Sequence, residues 1–124
     1  MFTVIYKKDA RLLRTTKLDK LVTLLPESII WVDLHNAQDA ERKQIEQIFQ
    51  INLENVAYAL EKEKFLKFIE TQDAVFLQSH YILPDTVKET EYTEYTASQV
   101  LKNNTLISIR TNELKSFNET LSLI

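Results

Sequence analysis

The sequence contains no glycine and no cysteine. Without glycine, a phosphate-cradling P-loop, a Gly-rich dinucleotide turn and a Gly-x-Ser-x-Gly nucleophile elbow cannot be built, and the enzyme classes that depend on them are excluded. Without cysteine there is no disulfide, no thiolate nucleophile and no zinc site that uses sulfur, a composition that fits a reducing compartment. Long apolar runs are also missing. None exceeds Val56 to Leu60, whereas a membrane-spanning helix needs about 20 such residues. The amino terminus, Met1 to Tyr6 ahead of Lys7, lacks the basic-then-apolar order of a secretory signal, so a cytosolic setting is expected.

What is present suits one domain over residues 1–124: the chain is 44% hydrophobic, and a domain of this size buries roughly two thirds of its unfolded surface. The formal charge of −3 provides no broad cationic field, and nucleic acid is not an expected partner. Charge is nevertheless uneven. Six basic residues (Lys7, Lys8, Arg11, Arg14, Lys17, Lys20) face two acidic ones (Asp9, Asp19), while Asp85 to Glu94 is acidic. Both stretches read as solvated faces first and as contact patches second.

Phe2 to Lys7 alternates as a strand, and Leu18, Leu21, Val22 and Leu25 recur at helical spacing until Pro26. Ile29 to Leu34 reads as a buried strand that leads, with Asn36 as cap, into an amphipathic helix from Asp39 to Gln50 whose Ile45, Ile48 and Phe49 share a face. Asn52 can cap a second helix carrying Leu53, Val56 and Leu60. From Phe65 the period becomes two: Phe65, Lys67 and Ile69 face one way, and Val75, Leu77, Tyr81 and Leu83 line a longer strand ended by Pro84-Asp85. Strand formers from Thr90 to Ala97 follow, then a tight turn at Asn103-Asn104 before Leu106 to Ile109. A final helical stripe, Leu114, Phe117, Leu121 and Ile124, has a capping-box spacing at Ser116 and Glu119. The expected fold class is α/β (α+β): a mixed sheet flanked by helices on both faces, with consecutive antiparallel strands in the C-terminal half.

The strand Trp31-Val32-Asp33-Leu34 and the helix after it resemble the cytoplasmic domain of CorA-type magnesium and cobalt transporters, in which a Trp-(Ile/Val)-Asp-(Leu/Ile) strand precedes such a helix. The resemblance extends through Asn52-Leu53, Leu60, Lys67 and Phe76 to the hairpin Leu101-Lys102-Asn103-Asn104-Thr105-Leu106-Ile107. It implies the N-terminal cytosolic regulatory domain of a longer transporter, truncated before the stalk and membrane helices, on the cytoplasmic face of the inner or plasma membrane. The implied ligands are Mg²⁺ or Co²⁺ acting as regulators, with no cofactor in the fragment itself. The implied partners are the parent protein and copies of itself, a pentamer for the full-length family, with the fragment alone a monomer or dimer. One departure stands out: the family's acidic pair, which helps a regulatory cation bridge subunits, falls on Ala57 and Tyr58, and neither is a hard-cation ligand at neutral pH.

The residues themselves admit other readings. Trp31 is expected to anchor the core, and Asp33 to cap the turn after its strand or, less readily, to bind metal. Asp33, His35 and His80 could together hold a metal for hydrolysis, although no short ligand motif joins them. Glu61 and Glu63 are weak substitutes for the acidic pair, with Lys62 and Lys64 beside them. Glu89, Glu91 and Glu94 could hold hydrated Mg²⁺ or protect an exposed edge strand. No strained nucleophile turn or oxyanion loop is present, so catalysis is not expected. A stand-alone protein-binding or scaffold module of the same fold is the alternative function.

Overall fold

The computed structural model describes residues 2–53, 68–70, 74–84, 92–110 and 114–124, with 68–69, 79–84 and 92–96 described as backbone. Its seven strands, β1 (Phe2–Lys8), β2 (Arg11–Thr15), β3 (Ile29–His35), β4 (Phe68–Glu70), β5 (Ala74–Pro84), β6 (Tyr92–Lys102) and β7 (Thr105–Arg110), form one mixed sheet in the order β2-β1-β3-β7-β6-β5-β4. Strands β4 to β7 pair antiparallel in succession, as the sequence pattern predicts, and so do β2, β1 and β3. The two halves meet in a parallel pair, β3 with β7, which sets Asp33 opposite Ser108 and His35 opposite Arg110.

Helices cover both faces. α2 (Asp39–Phe49) puts Ile45 and Phe49 against Phe2, Val4, Val32, Leu34, Val100 and Ile107 in the main core, joined by Leu21 of the short helix α1 (Leu18–Leu21) and by the partly buried Phe76. The opposite face carries a smaller cluster in which α3 (Lys115–Ser122) seats Phe117 and Leu114 over Ala97 and Trp31. Both faces of β3 are therefore used, and its register shift against β1 between Ile5 and Tyr6 pairs Ile29 with Tyr6 and keeps it in the main core while Ile30 stays exposed.

Several sequence expectations change. The helix expected from Leu18 to Leu25 stops at Leu21, leaving Val22 and Leu25 exposed. Thr23 Oγ1 donates to the Lys20 carbonyl, and Leu25, which precedes Pro26, is held extended. Asn36 is not the cap of α2. It takes a left-handed turn at φ 47°, and the cap falls on Gln38, whose N–H is accepted by the Glu41 carboxylate at 2.9 Å. Ser116 lies inside α3 rather than capping it, because buried Leu114 occupies the capping position. The stretch around Glu94 is the first part of β6, and among the described residues Tyr92 to Thr96 pair with β5 on one side only, since pairing with β7 begins at Ala97, so this segment keeps the open edge expected from the sequence. Strand β2 had no advance signal: it carries Arg11 and Arg14 and follows a turn without glycine.

The absence of glycine has a backbone consequence. Asp9, Ala10, Asn36, Gln50 and Asn103 all adopt positive φ, at the β1–β2 turn, the approach to α2, the end of α2 and the β6–β7 turn. Asn and Asp tolerate this conformation, but Ala10 at φ 60° carries a Cβ penalty of roughly 1–2 kcal/mol. Ala10→Gly should relieve it, offset in part by greater unfolded-state freedom. The expected net gain is about 1 kcal/mol, a melting temperature higher by roughly 4 °C for a chain of this size. Asn103→Gly should gain less, as thermal unfolding of the two variants will show.

Candidate functional site

Beneath α3 the sheet carries a chain of polar side chains in an otherwise apolar setting. On β3, Trp31, Asp33 and His35 alternate onto this face, and on β7, Ser108 and Arg110 meet them across the parallel pair. The Trp31 Nε1–H donates to Ser108 Oγ at 2.9 Å, and the Ser108 hydroxyl donates to Asp33 Oδ1 at 2.7 Å. Arg110 then engages both carboxylate oxygens, with Nε at 3.2 Å from each and Nη2 at 2.9 Å from Oδ2. The side chains of Asp33 and Arg110 are each only 2% exposed. α3 closes the assembly from above: the Phe117 ring lies 5.0 Å from the Arg110 guanidinium and meets Trp31 edge to face at 5.9 Å.

This arrangement corrects the expectations for Asp33. It neither caps a turn nor stands open to a metal, because its oxygens are already taken by a guanidinium and a hydroxyl. A planar two-toothed contact of this kind aligns two rigid groups more strictly than a point charge does. Trp31 is a packing residue as expected, but half-buried under α3 and outside the main core. The partners Ser108 and Arg110 went unnoticed in the sequence. Their signal was faint but physical: Ser108 interrupts the apolar run Leu106 to Ile109 and Arg110 ends the strand two residues later on the same face, as Asp33 interrupts the apolar strand β3.

The proposed Asp33, His35, His80 site does not assemble. His80 sits on β5, three strands from β3 in the sheet order, which at about 4.8 Å per strand is roughly 14 Å away. Among the described residues, no three metal-ligating side chains gather at one place. Ala57, Tyr58, Glu61, Glu63 and Lys67, along with Glu89 and Glu91, lie outside the described residues, as does most of the second helix expected after Asn52. Asn104 lies in the two-residue turn between β6 and β7, where its neighbour Asn103 takes φ 54°.

The buried pair sets a stability expectation. Asp33→Asn or Arg110→Met leaves one buried charge uncompensated and should cost about 3–5 kcal/mol. The paired change Asp33→Leu with Arg110→Met should cost much less than the sum, which a denaturant double-mutant cycle will resolve. Trp31→Phe removes one donor to Ser108 while preserving the aromatic contact, for an expected loss of about 1 kcal/mol in the same assay.

Two solved structures share this architecture. The soluble domain of CorA from Methanocaldococcus jannaschii superposes with a TM-score of 0.71 at 15% identity, covering 98% of this chain and 45% of that one. The complete CorA magnesium transporter from the same organism gives a TM-score of 0.70 at 15% identity, over 98% of this chain and 36% of that one. The chain therefore spans less than half the length of these solved proteins. No curated protein sequence matches it. The sequence model described as CorA-like Mg²⁺ transporter protein matches residues 26–123, from the turn before β3 to the end of α3, and the chain belongs to that family.

Proposed function

We propose that this chain is the amino-terminal regulatory domain of a divalent-cation transporter, in which cation binding and contacts between neighbouring copies bias the opening of a pore carried elsewhere in the protein. The observation that supports this most is the family match over residues 26–123. The likeness to the soluble domain of a magnesium transporter supports the fold. Among the described residues no helix is long and apolar enough to cross a membrane, so transport is assigned to the parent protein at the inner or plasma membrane and regulation to this domain.

The mechanism is a two-state coupling. A cation that binds better to one arrangement of neighbouring domains shifts the population toward it by its differential affinity and no more. Mg²⁺ keeps most of its hydration shell and needs only one or two carboxylates, so the loss of the acidic pair to Ala57 and Tyr58 does not remove every route to binding. Glu61 and Glu63 are the carboxylates nearest that place in the sequence. Within the domain, α3 is the element positioned to transmit a change: it follows the strand that closes the sheet and is held by Phe117 between Arg110 and Trp31.

Millimolar Mg²⁺ or Co²⁺ should raise the melting temperature or promote self-association by sedimentation velocity, whereas KCl at matched ionic strength should not. At ten times the dissociation constant the stabilisation should reach about 1.4 kcal/mol. The effect should disappear in the double variant Glu61→Gln, Glu63→Gln. Absence of both responses in the wild-type domain would sink cation sensing by this chain.

A further inference from the structure

Two residues of the basic stretch between Lys7 and Lys20, Arg14 and Lys17, line a cleft. On the face of the sheet that carries α3, an open trough of about 580 Å³ lies between the β2 edge and that helix, within the size range of small-molecule pockets. Thr3, only 8% exposed, contributes to its lining from β1. Arg14, Thr15, Thr16 and Lys17 line it from the β2 side, and Asn118 lines it from α3. Among the described residues, no carboxylate lines this trough. A second depression shares Arg14, Thr15 and Lys17 and continues toward Lys20, but its lining includes the carboxylate of Asp19.

The donors here are poorly matched by the protein itself. Among the described residues, no carboxylate lies within ion-pairing distance of Arg14 or Lys17. Arg14 reaches across the trough, where Nη1 donates to the Leu121 carbonyl at a long 3.4 Å, and its remaining N–H groups stay available. Thr15 Oγ1 accepts the Lys17 N–H at 3.2 Å, which leaves its own hydroxyl proton to donate. A guanidinium fork, an ammonium, three threonine hydroxyls and an amide, without a lining acid, make a donor-rich cationic hollow. Such a set matches a multivalent oxyanion better than a neutral or cationic ligand.

We propose that this cleft is a binding site for phosphoryl groups, with Arg14 and Lys17 as the charged contacts and the hydroxyls of Thr3, Thr15 and Thr16 with the Asn118 amide as neutral donors. The site is independent of the transporter reading, since it uses neither the acidic-pair region nor the buried Asp33–Arg110 pair. Because its walls come from β2 and α3, an occupant would bridge the sheet edge to the helix.

The test titrates pyrophosphate into the intact chain by calorimetry at constant ionic strength, alongside sedimentation with phosphatidylcholine vesicles containing phosphatidic acid. Two variants each remove two positive charges: Arg14→Gln with Lys17→Gln inside the cleft, and Lys7→Gln with Lys8→Gln on exposed positions outside it. The expected result is pyrophosphate binding that weakens at least tenfold in the first variant and is kept in the second. The same discrimination on vesicles alone would assign the phosphoryl group to a lipid headgroup. No binding to either probe, or equal loss in both variants, would overturn the proposal, since equal loss is what a diffuse charge effect produces.

Discussion

The buried contact between Asp33 and Arg110 is the constraint on which the rest of the architecture depends. It spans 77 residues of sequence and lies across the parallel pairing of β3 with β7, where the N-terminal three strands join the C-terminal four. A slip of one residue there would turn every side chain of β7 to the opposite face. Such a slip would bury Arg110 among Phe2, Val32 and Ile45 without a partner. The ion pair adds little to net stability, because desolvating both charges offsets much of their attraction, but it penalises the wrong register heavily. Thr105 reinforces the same junction from the other end, its hydroxyl donating to the Ile29 carbonyl at 2.6 Å.

The seat of α3 is a second product of that register. Phe117 meets both a cation and an indole because Arg110 and Trp31 are presented together on the face away from α2. The helix is thus indexed to the parallel pair through aromatic and polar contacts, while α2 packs on the opposite face through apolar side chains, Ile45 and Phe49 among them. The two helices have different sensitivities as a result. A change of charge beneath α3 unseats it, whereas α2 responds mainly to changes of volume in the core.

Much of this fold was legible in the residues. The helical stripe of Ile45, Ile48 and Phe49 marked α2, because solvent and core impose opposite chemistry on its two faces, while β3 was marked by a continuous apolar run that serves both faces of the sheet. In β5 the strand was visible but its core face was not: Ala74 and Phe76 join the main core, whereas Leu77, on the face expected to be apolar, is exposed. The Asn103-Asn104 turn was visible because asparagine tolerates the left-handed backbone that a short hairpin requires. The cap of α2 was misplaced for the same reason: Asn36 uses that tolerance to turn the chain, so the capping role moved to Gln38. Strand β2 was hidden because it is short, charged and introduced by Asp9-Ala10, a pair with no local turn preference strong enough to announce it. The role of Asp33 was not legible at all without Arg110, since a lone carboxylate in an apolar strand carries no information about which distant residue will meet it. The trough beside α3 was hidden likewise, for its walls are drawn from the two ends of the chain.

That distance in sequence also bears on how the molecule comes to be folded. β1, β2 and β3 can pair among themselves as soon as they exist, and β4 to β7 form a succession of local hairpins, so each half is assembled from contacts close in sequence. Closing the sheet is different: β3 keeps one side of its backbone unpaired until β7 arrives, some 75 residues later, and the entropy of closing so long a loop must be met before any contact across the junction is gained. A chain emerging from the ribosome therefore exposes the apolar strand Ile29–His35 along an open edge throughout synthesis of everything between, which makes that edge the natural place for a chaperone to hold or for misassembly to begin.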